Sequence, residues 1–498
     1  MKKINKIIFV SLLALFMGCN DAIDIRQPGR LDAENAFGNV DDLQLGLLAI
    51  YNQLDTTPKI SMAANFCDEI AIGFDNGGQG IALYDFVLNA GSAAAADFWV
   101  RNFRVNNRAT ILIEAALNLT PEAGEEDTYN NILAQAYFIR AYANFELMVY
   151  FSPDPRDDSS LAVPVIDFVA PLDIRPLRDT TGELWDYINA DIAQAQALST
   201  VQNDPTFVSR DAINALRARM AATRGEYGTA ATLASQLLNA YPLANQAEYQ
   251  LMFLDAGNAE IIWKLERTQN DTYDGQVNTG SVATGGGWAG SVFAFVDATL
   301  SGSPYFEMDR SIYDLLDPAD IRRTVNVAPT SVISPDYVND PDPVNNDILV
   351  IQKYFGSEGQ PLMNDLKVFR SSEMLLILAE ARVENNNDFA GAAQLIKQLR
   401  DARFGSAQPL PSYNSRAEAL AGILQERKIE LCFEGHRYED LKRIGPAAGV
   451  GISRDPIACA IQSGACTLPS TDFRFTLPIP IVEINANPAI GDQQNPGY

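Results

Sequence analysis

The chain has 498 residues, with 37 Lys and Arg against 63 Asp and Glu, a formal net charge of -26 and a single histidine, His436. Hydrophobic residues make up 47% and charged residues 20%, as in an ordinary globular protein. The acidic charge disfavours nucleic acid as a partner, because phosphate binding needs clustered Lys and Arg. One imidazole excludes metal sites with two histidines and leaves His436 as the only residue for histidine-dependent catalysis.

The N-terminus has the pattern of a bacterial lipoprotein signal. Three lysines precede an apolar run over residues 7–17, which is too short to span a bilayer. Gly18 directly precedes Cys19, the order in which a cysteine sulfur is lipidated and becomes the new N-terminus. We therefore expect residues 1–18 to be removed and Cys19 to carry a lipid. The alternative is ordinary secretion with Cys19 merely nearby.

Four cysteines follow Cys19, and export would place them where disulfides persist. Cys459 and Cys466 are close enough in the chain to form a disulfide, and two free thiols are an equally good alternative. Cys67 lies beside Phe66, and Cys432 lies on a predicted apolar helix face. These two cysteines are predicted to be small buried hydrophobes.

Helical patterns dominate the chain and occur in pairs. Residues 130–151 repeat apolar side chains at steps of three and four, which predicts one helix. Residues 210–239 and 371–400 each predict two helices, with breaks at 225–227 and 387–389. When the two pairs are aligned, an aromatic residue follows each break and an alanine pair lies on each second helix, as in tetratricopeptide-like units. Because the pairs are far apart in sequence, we expect helical hairpins inside one larger fold.

Loops are predicted between these helical parts. Residues 255–310 are rich in Gly, Asn and Thr, and residues 326–347 are rich in Pro, Asn and Asp. A shorter stretch of the same kind is found at 75–80. The Asp and Asn residues between Asp336 and Asp347 are oxygen ligands of the type that calcium prefers, but they lack the spacing of a calcium loop. A solvated loop is the favoured interpretation there.

The segment 426–445 and the C-terminus carry a recognisable pattern. The segment follows Ser415 and Glu418, which have the form of a helix capping box, and its helix is predicted to end at Gly435. The motif residues are Glu426-Arg427, Glu430-Leu431, Glu434-Gly435-His436-Arg437 and Asp440-Leu441-Lys442-Arg443. The C-terminal ones are Leu477-Pro478-Ile479-Pro480, Glu483-Ile484, Asn487-Pro488 and Gln494-Asn495-Pro496-Gly497-Tyr498. Together with Arg140-Ala141-Tyr142 and the lipoprotein signal, they closely resemble the SusD/RagB family of nutrient-binding outer-membrane lipoproteins.

The resemblance implies an all-α, SusD-like fold with tetratricopeptide-like helix pairs and a loop-rich irregular region with short strands. It implies one domain over 19–498, with a helical framework at about 30–265 and 370–445. A loop-rich ligand-binding insertion at about 266–369 and an irregular tail at 446–498 complete it. Such proteins are lipid-anchored at the outer membrane, facing the cell exterior. They capture oligosaccharides or polysaccharides and deliver them to a SusC-like TonB-dependent transporter, without catalysis and without a cofactor.

The run Glu434-Gly435-His436-Arg437 allows two interpretations. A catalytic one makes His436 a general base oriented by Glu434 or Glu439. The structural one, which we favour, has the charged residues of the motif lock the helix end to neighbouring hairpins through charge-assisted hydrogen bonds. A secreted glycosidase remains an alternative function, because paired carboxylates are plentiful, but no motif singles out one pair. A tetratricopeptide-like lipoprotein scaffold that binds only protein is the other alternative.

A glycan site needs aromatic rings for the apolar sugar faces and Asp, Asn or Arg for the hydroxyl groups. Trp288, which is surrounded by glycines, is the leading candidate because nothing local packs against its indole. The further candidates are Tyr273, Asp68, Phe74, Asp75, Asn76 and Tyr84. The helical or strand-like surroundings of Trp99, Trp185 and Trp263 predict core positions instead. The pattern does not indicate which glycan is bound.

Overall fold

The computed structural model describes residues 36–73, 75–171, 173–269, 287–294 and 304–498. Helices form most of the described chain before residue 254. They are α1 (Val40–Tyr51), α2 (Thr57–Phe66), α3 (Ile81–Tyr84), α4 (Ala93–Leu117), α5 (Glu126–Phe151), α6 (Thr181–Leu198), α7 (Arg210–Arg224), α8 (Tyr227–Ala240) and α9 (Gln246–Phe253).

The helices of the later part are shorter at first and longer after residue 370. They are α10 (Arg310–Tyr313), α11 (Ile321–Asn326), α12 (Pro343–Asn346), α13 (Ser371–Asn386), α14 (Phe389–Phe404), α15 (Arg416–Glu430), α16 (Arg437–Ala448), α17 (Pro456–Gln462) and α18 (Ile481–Ala486). Short 3₁₀ turns occur at Ala289–Val292, Tyr337–Asn339, Phe473–Phe475 and Pro488–Gln493.

The strands of the described chain are short and form two-stranded antiparallel pairs. The pairs are β1 (Ile70–Ile72) with β3 (Phe306–Met308), β2 (Ile261–Leu265) with β6 (Leu366–Arg370), β4 (Gly356–Ser357) with β5 (Gln360–Pro361), and β7 (Ile452–Ser453) with β8 (Thr467–Leu468). The helix pairs and these short strands confirm the predicted fold class.

Both predicted helix pairs are present, and each breaks where the sequence indicated. Gly225 ends α7 with a φ of 84°, and Asn387 ends α13 with a φ of 50°. Both residue types tolerate this left-handed conformation, which stops a helix. Helix α8 packs against α13, so the two pairs are neighbours in space although they are distant in sequence. Ala230 and Ala392 are fully buried, which lets the helices of each pair approach closely.

Helix α5 is the centre of the N-terminal helical layer. It packs against both α4 and α6 and is buried along most of its length. Arg140 on α5 forms a bidentate pair with Asp191 on α6, with Nε to Oδ2 at 2.8 Å and Nη2 to Oδ1 at 2.6 Å. Trp99, Trp185 and Trp263 are 2%, 4% and 0% exposed, which confirms their predicted core positions. In the part of the chain that the structure describes, we find no helix long and apolar enough to cross a bilayer.

Candidate functional site

The motif at 426–445 forms a helix, a tight turn and a second helix. Helix α15 ends at Glu430, five residues before the predicted end at Gly435. The turn contains Phe433 and Gly435 at φ values of 64° and 89°, and α16 then begins at Arg437. A Cβ atom at Gly435 would lie 2.6 Å from Cγ of Lys59, so glycine is needed where α2 approaches the turn.

Buried ion pairs join the motif to the end of β6, to α14 and to Lys353. Glu430 accepts hydrogen bonds from Arg370 at 2.5 Å and from Arg403 at 2.9 Å. Glu434 pairs with Lys353 at 2.6 Å and with Arg370 at 2.8 Å. Burial alone would raise the pKa of Glu434, but these two cations outweigh it, and the pKa lies below its usual value.

Further charged residues of the motif are paired in the same way. Glu426 binds Arg322 at 2.7 Å, and Arg427 binds Asp440 at 2.7 Å. Arg437 pairs with Asp68, which is distant in sequence, at 2.7 Å. The structural interpretation of the motif is therefore confirmed: its charges form hydrogen bonds that fix the helix ends to neighbouring elements.

Asp68 was expected to contact a ligand, but the structure gives this carboxylate another role. It is 1% exposed, it accepts bonds from Arg437 at 2.7 and 3.0 Å, and it pairs with Lys428 at 3.1 Å. These cations hold the pKa of Asp68 well below its usual range although burial opposes them. Asp68 is thus a structural anion beneath the surface.

His436 does not have the surroundings of a general base. It is 5% exposed, and burial together with the positive charges of Arg219 and Lys59 holds its pKa well below its usual value. The two carboxylates that the catalytic interpretation assigned to it are engaged elsewhere, Glu434 with Lys353 and Glu439 with Lys59 at 2.5 Å. The imidazole is therefore neutral and has no orienting acid of that kind.

Trp288 is 6% exposed, so its indole is packed inside the protein rather than presented on a loop. Two of the glycines near it, Gly287 and Gly290, serve close packing. A Cβ atom at Gly287 would lie 2.6 Å from Oγ1 of Thr57, and one at Gly290 would lie 2.5 Å from the backbone oxygen of Tyr354. Arg267 also donates to the backbone oxygen of Gly287 at 3.0 Å. The expectation of a free indole overlooked these long-range neighbours.

The candidates from 74 to 84 differ in position. Asn76 is 5% exposed and fixes its own loop, because its Nδ2 donates to the backbone oxygen of Tyr305 at 2.8 Å and its Oδ1 accepts from Gly78 at 3.0 Å. Tyr84 is fully buried, with the guanidinium of Arg454 3.6 Å from its ring centre. Asp75 is exposed. Phe74, Tyr273 and the lipidation candidate Cys19 lie outside the described residues.

A groove of about 370 Å³ lies beside these residues, and we refer to it as the α2 groove. Its first wall is one face of α2, and its second wall comes from the loop and helix after Asn76 and from the start of α4. The lining residues are Pro58, Ser61, Met62, Asn65, Gly78, Gly80, Ile81, Ala82, Leu83, Val87, Ser92, Ala93, Ala94 and Asp97. The helical spacing of 58, 61, 62 and 65 could have indicated this face, but periodicity does not tell a groove wall from a core contact.

The segment that follows α16 is hydrogen-bonded to both walls of the α2 groove and to β1. Arg454 donates to the backbone oxygens of Asn65 at 3.0 Å and Tyr84 at 2.7 Å. The amide of Gln462 bonds both backbone polar groups of Ile72, at 3.0 and 2.6 Å. Gln462 lies on helix α17, and a disulfide joins Cys459 of this helix to Cys466, which follows it. The free thiols of Cys67 and Cys432 are buried, as predicted.

A second, larger cavity of about 420 Å³ lies against the motif, and we refer to it as the motif cavity. His436, Arg427 and Asp440 are buried at its floor, and Arg156 and Phe473 are exposed at its rim. It is separate from the α2 groove, because the two share no lining residue.

The described residues contain no cluster of three or more His, Cys, Asp or Glu side chains that could hold a metal ion. In the stretch that was considered for calcium, Asp340 accepts from Ser334 at 2.6 Å. Asp347 accepts from Arg310 and from the backbone of Ser334, both at 2.8 Å. These bonds engage two of the carboxylates of that stretch with protein donors.

The fold and these sites define a protein of paired helices with short two-stranded sheets and irregular segments between them. The SusD family profile matches residues 330–498. The chain is 26% identical to SusD-like protein P2 of Formosa agariphila, with all of both chains covered. It superposes on a SusD superfamily protein of Bacteroides thetaiotaomicron at a TM-score of 0.75 and 23% identity, covering 92% of this chain and all of the other. It also superposes on surface glycan-binding protein A of Bacteroides fluxus at a TM-score of 0.69 and 21% identity, covering 92% of this chain and 99% of the other. The chain therefore has the SusD fold, and its resemblance to the SusD/RagB family is confirmed.

Proposed function

We propose that this protein binds an oligosaccharide or polysaccharide without catalysis and delivers it to a SusC-like TonB-dependent transporter. The observation that carries the proposal is the full-length similarity to SusD-like proteins together with the shared fold. One protein of that fold is a surface glycan-binding protein by its name. The lipoprotein signal over residues 1–18, directly followed by Cys19, supports a position at the outer membrane, facing the cell exterior.

The α2 groove is the proposed glycan site. Its two walls offer apolar contacts from Pro58, Met62 and Leu83 for the C–H faces of a sugar. Polar groups stand beside them, because the Nδ2 of Asn65 donates to Oγ of Ser61 at 3.3 Å and Asp97 lines the same groove. Open grooves with a few polar groups on an apolar floor are the common form of small-molecule sites.

The side chain of Asn65, which lines the groove, has an unsatisfied hydrogen-bond acceptor. The residue is 5% exposed, and its Oδ1 has no hydrogen-bond partner within the described chain. A buried acceptor without a donor costs about 1–3 kcal/mol, and a small side-chain rotation toward a sugar hydroxyl would remove that cost. Asp97 adds a second acceptor for hydroxyl groups. A neutral glycan, which carries many donors and no charge, suits this lining.

The groove argues against the glycosidase alternative. Glycoside hydrolysis uses two carboxyl groups that face each other across the bond, about 5–10 Å apart. Among the described residues that line the α2 groove, Asp97 is the one carboxylate. A single acid can bind hydroxyl groups but does not supply both the acid and the base or nucleophile. The tetratricopeptide-like scaffold alternative has no observation of its own in its favour, whereas the groove favours a small hydroxylated ligand.

Affinity electrophoresis against neutral polysaccharides tests the proposal and its location. The mature protein should be retarded in gels that contain one or more of an α-glucan, a β-glucan, a xylan and a mannan. Asp97→Ala removes the acceptor and Ser61→Trp fills the groove, so each should weaken the retardation on the order of tenfold. Asp127→Ala, which removes an exposed acid in the first turn of α5, is the matched control and should change nothing.

Retardation that both groove variants leave intact would move the site elsewhere. Absence of retardation by a broad neutral panel, with the protein folded, would contradict glycan binding of this kind.

A further inference from the structure

The motif cavity has an exposed rim and a buried floor. Its walls come from the segment after α5, from α7, α13 and α16, and from residues 470–476 of the tail. Asp154, Arg156, Thr471 and Phe473 are exposed at the rim, whereas Arg427 at the floor is 3% exposed. A volume of about 420 Å³ lies in the range of sites for small ligands.

Most charges of this cavity are neutralised by partners. Arg219 pairs with Glu373 at 2.7 Å, and Arg443 pairs with Glu380. Glu439 pairs with Lys59. These pairs leave little net charge on the deep walls.

Two cations of the cavity form no salt bridge within the part of the chain that the structure describes. Lys442 donates to the backbone oxygens of Val149 and Ser152, both at 2.7 Å, at the C-terminal end of α5. Arg156 donates from Nε to the backbone oxygen of Thr223 at 3.1 Å and from Nη2 to the hydroxyl of Tyr227 at 2.9 Å, which leaves its Nη1 group for a ligand. An ammonium group has three donors, so a third donor of Lys442 remains beyond these two carbonyls.

Arg427 adds a third observation of the same kind. Its Nε donates to Asp440, but its Nη1 is buried and has no hydrogen-bond partner among the described residues.

Burial lowers the pKa of Lys442 to about 7, although Asp154 and Glu439 oppose the shift. A bound anion would stabilise the charged form of Lys442. Three cationic side chains with unused donors therefore line one cavity.

The rim provides the other contacts that a sugar needs. The ring of Phe473 is 43% exposed and can accept the apolar face of a pyranose. Thr471 brings a hydroxyl group to the same rim, Asp154 brings a carboxylate, and the hydroxyl group of Ser470 is buried in the lining. These groups suit hydroxyl donors and acceptors, whereas Lys442 and Arg156 suit a carboxylate.

We propose that the motif cavity is a second binding site, for a sugar acid of the hexuronate class, with the carboxylate between Lys442 and Arg156 and the ring on Phe473. The site uses none of the residues of the α2 groove and does not rest on the glycan proposed there.

Isothermal titration of the mature protein with glucuronate tests the proposal, with glucose, acetate and inorganic phosphate as matched probes. Glucuronate should bind saturably and at least about tenfold more tightly than each of the other three, because only it combines the ring with the carboxylate. Arg156→Ala and Phe473→Ala, at the exposed rim, should each weaken glucuronate binding by about tenfold. Asp97→Ala in the α2 groove should leave it unchanged.

Lys442→Met tests the floor and needs a folding control, because Lys442 also holds the end of α5. Its thermal unfolding is compared with that of the wild type before binding is measured, and the two rim variants carry the test if it unfolds. Equal binding of phosphate and glucuronate would overturn the proposal in favour of a simple anion site. Absence of saturable glucuronate binding, or binding that the rim variants do not change, would overturn it as well.

Discussion

Arg437 and Asp68 form a buried bidentate ion pair that joins two parts of the chain 369 residues apart. Nε of Arg437 lies 2.7 Å from Oδ1 of Asp68, and Nη2 lies 3.0 Å from Oδ2. Arg437 begins α16, directly after the motif turn, and Asp68 follows α2 and precedes β1. The pair therefore holds the motif to the element that forms the first wall of the α2 groove.

Asp68→Asn should lower the free energy of unfolding by about 3–5 kcal/mol, because it leaves two buried cations, Arg437 and Lys428, without their anion. Urea denaturation at neutral pH measures the loss. The exposed pair of Arg382 and Asp388 provides the control, since Asp388→Asn should cost less than about 0.5 kcal/mol if its helix cap is retained by the amide. Equal effects of the two substitutions would contradict a structural role for Asp68.

Trp288→Ala should destabilise the protein by about 3–5 kcal/mol, because the indole is 6% exposed and its removal leaves a cavity. Phe168→Ala, at an aromatic residue that is 44% exposed, should change stability by about 0.5 kcal/mol or less. Thermal unfolding of both variants decides between burial and a surface position. If Trp288→Ala leaves the melting temperature unchanged and reduces glycan retention, the indole is a ligand contact after all.

The titration of Glu69 should lower the free energy of unfolding as the pH rises from about 5 to 8. Burial, and then the charge of Asp68, raises the pKa of Glu69 to about 8 from 4.5. The folded state holds the proton of Glu69 more tightly than the unfolded state does. The stabilisation that results is therefore fully present below about pH 4.5 and is lost as the pH approaches about 8. The slope is at most about 1.4 kcal/mol per pH unit.

Glu69→Gln removes this titration while keeping the size of the side chain. Its stability relative to the wild type should increase from pH 5 to pH 8, as measured by urea denaturation at three pH values. A difference that stays constant over this range would show that Glu69 does not titrate there.

The disulfide between Cys459 and Cys466 should support the α2 groove from a distance. It joins α17 to the residues that follow this helix, and Gln462 of α17 is hydrogen-bonded to Ile72 of β1. Replacing both cysteines by serine should lower the free energy of unfolding by about 2 kcal/mol, because the closed loop is short, and should also weaken glycan retention. Serine at Cys67, which is buried and unpaired, is a control for the loss of a thiol. Unchanged retention in the double variant would mean that the groove does not depend on this brace.

The helix pairs could be predicted from sequence, because periodicity and the breaks at Gly225 and Asn387 are local signals. The site candidates depended on partners that no local pattern reveals. Asp68 is covered by Arg437, Tyr84 by Arg454, and the segment of Trp288 by Thr57 and Arg267. A loop composition predicts irregular backbone, but whether its side chains face solvent is decided by residues hundreds of positions away.

The same limit explains why the α2 groove was not predicted. Ser61 and Asn65 belong to a short helix with an ordinary mixed face, and only the packing of the loop around Gly80 turns that face into a groove wall. Gly80 has a φ of 64°, and a Cβ atom there would lie 2.6 Å from the ring of Phe306. This close approach depends on the pairing of β1 with β3, which joins distant segments.

Under the proposed function, the protein binds a glycan and leaves it intact. The most direct measurement incubates the mature protein with each neutral polysaccharide that retards it and follows both the bound fraction and the reducing ends released over a day. We predict saturable binding with reducing ends at the level of the protein-free control. Reducing ends that increase with protein concentration would contradict the claim and would favour a glycosidase.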